Sequence, residues 1–134
     1  MSALTATPTR HLILYWFRND LRLHDNPSLH AALDLSKSFP SSTFLPLYIF
    51  DDRFLTQRSR NSKHAKSGAI RANFLRESVR DLRSSLTKLG HPLHILHDRP
   101  ESAIRDLAGE CNRFISGTDI SLHHYVHPFR QRSY

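Results

Sequence analysis

Glycine is scarce in this chain: four residues in 134, at positions 68, 90, 109 and 117. Neither G-x-G-x-x-G nor G-x-x-x-x-G-K-[ST] occurs, which excludes a Rossmann-type dinucleotide cradle and a Walker A loop. The single cysteine, Cys111, rules out an internal disulfide and a cysteine-built zinc site, and a reducing compartment is the simpler expectation. No apolar run approaches the roughly 18–20 residues that cross a bilayer, so no membrane association is expected. The opening MSALTATPTR has no acid and one arginine. It is too short and too weakly apolar for a secretory signal, and a trimmed organelle-targeting remnant is the alternative. A soluble intracellular protein is expected, with plastid, mitochondrion and nucleus all open.

What is present suits one modest domain. Hydrophobic residues make up 39% of the chain, and the mean hydropathy of −0.47 describes a water-exposed surface around a single core. The formal charge of +7 and a pI near 10.2 point to an acidic partner, of which nucleic acid is the common one; a solvated basic surface is the plainer alternative.

Periodicity organises the chain as strand, helix, strand, helix, strand, helix. LILYWF (12–17) is a continuous apolar run too short for a globular helix, and suits a strand buried on both faces of a parallel sheet. Asn26 offers an N-cap and Pro27 the first helical position, opening a short helix through Leu29, Ala32 and Leu33. TFLPLYIF (43–50) reads as a second buried strand, with Pro46 as a defect that a bulge or an unpaired position would reconcile. From Gly68 to Leu89, apolar residues at 70, 74, 75, 79, 82, 86 and 89 recur at spacings of three and four and predict one helix with one apolar stripe. Gly90 and Pro92 stop it. A strand over 92–97 and a helix opening at Pro100, with Ile104, Leu107, Ala108 and Cys111 inward, complete the pattern. Three strand–helix units in series predict an α/β, Rossmann-like doubly wound parallel sheet, with ISLHHYV as an incomplete fourth strand. The expected organisation is an N-terminal tail (1–11), one α/β domain (12–112) and an off-pattern C-terminal tail (113–134).

Candidate chemistry gathers where strands end. In LYWFRNDLRLHDNP (14–27), Arg18, Asp20 and Arg22 alternate with period two, so an extended backbone turns them the same way and lets the acid serve both arginines. In open α/β sheets ligands bind outside the carboxyl ends of the strands, so this cluster orients a ligand or ties down a neighbouring domain; a structural ion network is the alternative. The segment 51–67 carries five Lys/Arg and feeds the N-terminus of the long helix. Lys63, Lys66 and Arg71 there make an anion or nucleic-acid site, or else a solvated basic loop. The ten histidines offer no convincing metal set: His91, His94 and His97 would not converge on a strand, and His123, His124 and His127 lack a flanking carboxylate. No nucleophilic triad has supporting context, and catalytic residues are assigned to none of these positions.

Four blocks together carry a resemblance: LYWFRNDLRLHDNPSL (14–29), LPLYIFDDRF (45–54), KSGAIRANFLRESVRDLRSSLTKLG (66–90) and RPESAIRDLA (99–108). They resemble the start of the DNA photolyase/cryptochrome family, most of all the DASH-type cryptochromes and plant photolyase-like proteins, over residues 12 to 111. The resemblance implies an N-terminal α/β domain whose partner is a larger helical domain that binds FAD and receives a flipped pyrimidine dimer for blue-light-driven repair. It also implies an antenna chromophore, a folate or deazaflavin, in a cleft at the strand ends. The matching positions are Arg18, Asn19 and Asp20 after the first strand, and Tyr48, Phe50 and Asp51 at the end of the second. The family continues into a fourth strand with a short acidic stretch, whereas HHYVHPFRQRSY stands here without an acid.

The expectation is therefore the N-terminal domain of a photolyase/cryptochrome protein, cut off before its catalytic domain and inactive alone. At most it binds an antenna chromophore or docks to a partner domain. A non-enzymatic basic module for nucleic acid or a partner protein is the alternative. An adenine-nucleotide enzyme on a related fold ranks third, without a phosphate-binding signature.

Overall fold

A computed structural model describes residues 11–51, 53 and 68–114, with side chains up to residue 110. His11–Phe17 (β1) and Ser42–Phe50 (β2) pair in parallel, from His11 opposite Ser42 to Phe17 opposite Tyr48. Parallel strands cannot be joined by a tight turn, so a helix, Pro27–Ser38 (α1), makes the crossover. A second crossover by Ala69–Lys88 (α2) brings His94–His97 (β3) alongside β2, with Leu47 opposite His94 and Phe50 opposite His97. Pro100–Phe114 (α3) follows. The sheet order is β1-β2-β3, so this is an open, parallel, Rossmann-like α/β arrangement.

The alternation of side chains along each strand divides the core in two. Ile13, Tyr15 and Phe17 of β1, with Tyr48 and Phe50 of β2, face α1 and α2 and meet Leu29, Ala32, Val79, Leu82 and Leu86. Leu14, Leu47 and Ile49 face the other way, onto Ala103 of α3, with Trp16, Ile104 and Leu107 packed at the margin. Burial on both faces is why LILYWF and LPLYIF read as unbroken apolar runs rather than alternating ones. The third helix lies on the opposite face from the first two, so the sheet is wound from both sides. Among the described residues the outer edge of β1 is unpaired. The expected fourth strand, ISLHHYV, falls outside the described residues, as do most of both tails and most of 51–67.

Pro46 sits in the central strand without a bulge: Leu45, Pro46 and Leu47 face Leu14, Tyr15 and Trp16 in unbroken register. β3 joins only from Leu47 onward, so at Pro46 the strand is still an edge on that side, where a missing N–H is tolerated. The apolar stripe of α2 departs from expectation. Val79, Leu82 and Leu86 are buried, but Ile70, Phe74 and Leu89 are 87%, 70% and 65% exposed. The 20-residue helix is about 30 Å long, against about 13 Å for a four-residue strand. Its first turns, which carry Ile70 and Phe74, therefore outrun the described sheet, and Leu89 is the C-cap beyond its last turn. On α3, Ala103 rather than Ala108 is the most buried small residue, and the side chain of Cys111 is outside the described set.

Both helix boundaries read from the sequence have the physics expected of them. Pro27 stands in the first turn of α1 behind the Asn26 cap. At the end of α2, Gly90 adopts φ +82, and the His91 and Gly90 N–H groups donate to the Leu86 and Thr87 carbonyls at 2.9 and 3.0 Å, a Schellman closure. A Cβ at Gly90 would meet nothing within 4 Å, so the penalty of a side chain there is purely conformational. Gly90→Ala is expected to lower unfolding free energy by about 1 kcal/mol, and Gly90→Asn by less, in urea titrations followed by circular dichroism.

Candidate functional site

The carboxyl ends of the strands meet at one rim, and a buried asparagine organises its β1 side. Asn26 is 2% exposed. Its Oδ1 accepts from the Tyr15 hydroxyl at 3.0 Å and from the Leu29 N–H at 3.1 Å, while its Nδ2 donates to the Arg22 carbonyl at 3.0 Å. Two donors on one atom and an acceptor on the other leave a single orientation of the amide that satisfies the network. One side chain thus joins the strand, the loop and the helix start. Asp25 next to it takes φ 50, an uncommon conformation that aspartate tolerates better than most residues.

Above this hub the expected charge cluster resolves differently from the expected shared acid. Asp20 accepts from Arg22 through both oxygens, at 2.9 Å from Nε and 2.9 Å from Nη2, and also from the Arg22 N–H at 3.1 Å. That fork raises the Arg22 guanidinium further above its usual range. Arg18 turns over the Trp16 ring, 4.9 Å from its centroid, a cation–π geometry. The loop curls after Phe17 instead of staying extended, so residues two apart no longer share a side. Arg18, Asn19 and Asp20 are all exposed.

The β2 side is tied down by a second fork. Arg53 donates to both oxygens of Asp51, at 2.9 and 2.7 Å, and reaches both oxygens of Glu101 at the start of α3, at 3.2 Å each. The Arg53 hydrogen bonds hold the Asp51 carboxyl below its usual 3.8, and the same contact pushes Arg53 up. Glu101 is lowered first by its own backbone N–H and then by Arg53. The Asp98 N–H donates to the Phe50 carbonyl at 3.2 Å, closing β3 against the end of β2. Phe50 stacks on His97, with centroids 4.9 Å apart and planes at 14°. Tyr48 is 5% exposed and lies in the core beneath the rim, edge-on to Phe50; burial pushes its phenol up.

Of the residues singled out from the sequence, Arg18, Asn19, Asp20, Phe50 and Asp51 stand at or beside the rim, and Tyr48 supports it from below. Arg71 is exposed in the first turn of α2, behind Gly68, which supplies no side-chain cap. Lys63 and Lys66 lie outside the described residues. His91 meets Phe44 and His97 meets Phe50, and no group of three His, Cys, Asp or Glu able to hold a metal occurs among the described residues. No described helix is long and apolar enough to cross a membrane. Sequence reading missed Arg53, whose link to Glu101 spans 48 positions, and the second role of Asn26. Only its cap role has a local signal, the Asn-Pro dipeptide.

An open parallel sheet with helices on both faces and polar loops gathered at the strand ends defines an α/β unit of the doubly wound class. The DNA photolyase family model matches residues 13–125, and the chain belongs to that family, as its N-terminal α/β domain. It is 39% identical over 100 residues to a cryptochrome DASH of Synechocystis, covering 75% of this chain and 19% of that protein. It is 41% identical over 106 residues to the blue-light photoreceptor PHR2 of Arabidopsis thaliana, covering 79% and 22%. A (6-4)DNA photolyase of rice is 36% identical over 110 residues, covering 81% and 19%. The chain thus spans about a fifth of the length of these relatives.

Two outcomes are expected. Asn26→Ala should cost about 2–3 kcal/mol of stability, because it strands the Tyr15 hydroxyl and removes the cap, whereas Tyr15→Phe should cost about 1 kcal/mol. Chemical denaturation of both single variants and the double variant measures the coupling. The Asp51 carboxyl, followed by NMR, should titrate below the usual aspartate range. Its stabilising contribution is present above that range and lost as the pH falls through the folded-state midpoint; Arg53→Ala should move the midpoint up.

Proposed function

We propose that this chain acts as an antenna and docking unit, presenting the strand-end rim to a helical FAD-binding domain and forming one wall of a chromophore cleft. The supporting observation is the common rim itself. Parallel β1 and β2 deliver Arg18, Asn19 and Asp20, and Phe50 and Asp51, to one edge of a sheet whose outer β1 side is unpaired among the described residues. In this reading Phe50, backed by Tyr48, forms the apolar wall against a planar folate or deazaflavin. Arg18 and Asn19 supply exposed polar contacts, and the Asp20–Arg22 and Asp51–Arg53 forks hold the loops in one conformation.

The described residues do not fit a flavin of their own. No glycine-lined turn follows β1, where a dinucleotide pyrophosphate would need close backbone approach. FAD and light-driven electron transfer belong to the helical part in this reading, and this chain's residues position and dock. The basic segment that precedes α2 in the sequence supports a second reading, an anion or DNA contact by Lys63, Lys66 and Arg71, since Gly68 supplies no side-chain cap to the N-terminus of that helix.

Titration of the full chain with methenyltetrahydrofolate and, separately, with a deazaflavin should shift the fluorescence of one of them. Replacing Arg18 and Asp20 together by alanine should weaken that binding about tenfold, or about 1.4 kcal/mol. Silence with both compounds would remove the antenna role. Under blue light the full chain alone should leave cyclobutane dimers intact in a chromatographic repair assay, and repair would overturn the docking role.

A further inference from the structure

Among the described residues β3 is paired on one side only, to β2. The Asp98 N–H donates to the Phe50 carbonyl. By the alternation of a strand, Leu96 turns its backbone groups the same way, toward β2. The N–H and C=O groups of Ile95 and His97 then point to the open side, an edge that another strand can extend.

The two flanks of that edge differ chemically. On the α2 side an open groove of about 750 Å³ runs between helix and strand, lined by Arg76, Arg80 and Arg83 from α2 and by Ile95 and His97 from β3. Spacings of four and three put the arginines on one flank of α2, about 6 and 4.5 Å apart along its axis. None of the three forms an ion pair with another described residue, and Glu77 is the single acid in the lining. On the opposite face Leu96 joins Ile104 and Leu107 of α3, and all three are only partly buried.

We infer that β3 takes up an extended acidic segment of a partner protein as an added strand, its acids toward Arg76, Arg80 and Arg83 and its aliphatic residues toward α3. An added strand lies about 4.8 Å from its neighbour, and its side chains alternate between the two faces. Main-chain pairing with Ile95 and His97 fixes the register, and the flanking side chains choose the sequence. Four residues offer few main-chain bonds, so the three cations carry much of the selectivity. A segment alternating acidic and aliphatic residues satisfies both faces, whereas a basic one satisfies neither. The site shares no loop with the Arg18–Asp20 rim, and it stands or falls independently of the docking role.

The test is fluorescence anisotropy of the full chain with a labelled peptide of about eight residues alternating glutamate and valine. Arg76→Gln/Arg80→Gln/Arg83→Gln should weaken binding about three- to hundredfold, the range for three solvent-accessible ion pairs. Methylating the glutamate amide nitrogens and, in a second peptide, the valine ones should give opposite results. One set faces β3 and its loss costs about tenfold or more; the other faces away and is tolerated. In NMR hydrogen exchange, the Ile95 and His97 N–H groups should slow about tenfold or more with saturating peptide. The Asp98 N–H, already bonded to Phe50, should change little. Circular dichroism checks that the exposed arginine substitutions leave the fold intact. Absence of binding at low salt, equal binding of the two methylated peptides, or unchanged exchange at Ile95 and His97 would overturn the inference. So would a triple variant that loses oligodeoxythymidylate binding but keeps the peptide, or protection of the same amides by self-association of the chain without peptide. Rim variants at Arg18 and Asp20 should bind the peptide as the parent does, which separates failure here from failure of the antenna role.

Discussion

The parallel pairing of β1 with β2 is the constraint from which the rest of the molecule follows. Seven successive partners, His11 to Phe17 against Ser42 to Tyr48, bury apolar side chains on both faces at once. A slip of one residue would exchange the two faces and send Ile13, Tyr15 and Phe17 toward α3 and Leu14 and Trp16 toward α1. Because the strands run the same way, the chain must cross over between them, and both carboxyl ends must arrive at the same side of the sheet. The rim is therefore a consequence of strand direction. Its chemistry depends on which residues happen to follow the two apolar runs.

Those residues are held by polar contacts that the core makes strong. The Tyr15 hydroxyl rises from the core face of β1 and meets Asn26 where little water competes, and Asn26 in turn holds a loop carbonyl and the first turn of α1. On the other strand, Arg53 joins Asp51 to Glu101, so the end of β2 is tied to the start of a helix on the opposite face. The two ties differ in kind. The asparagine hub is buried and costly to break, whereas the Arg53 fork is partly exposed and acts more on orientation than on stability.

Much of this architecture is legible in the amino-acid order. LILYWF and TFLPLYIF announced buried parallel strands because unbroken apolar runs of that length have few other uses. Asn26-Pro27 and Gly90 announced helix ends because capping and left-handed closure depend on local backbone chemistry, and both were found within a residue or two of the expected boundaries. The failures were those of local pattern facing long-range geometry. Period-two spacing at Arg18, Asp20 and Arg22 presumed an extended loop, and the loop curls. The α2 stripe presumed a cover over its full length, and a four-residue β3 reaches only part of it. Pro46 reads as a defect in the sequence because nothing local shows where the third strand begins, and β3 pairs only from Leu47 onward.

The amino-acid order alone determined the alternation of strands and helices, the helix ends and the family, since each rests on short-range periodicity, capping or contiguous motif blocks. Tertiary structure decided which charges pair, which half of α2 stays uncovered, and that Arg76, Arg80 and Arg83 border the same groove as Phe50 and His97. Those outcomes depend on distances between residues far apart in the chain. Such distances are set by the twist, length and order of the packed elements, which no local window of sequence encodes.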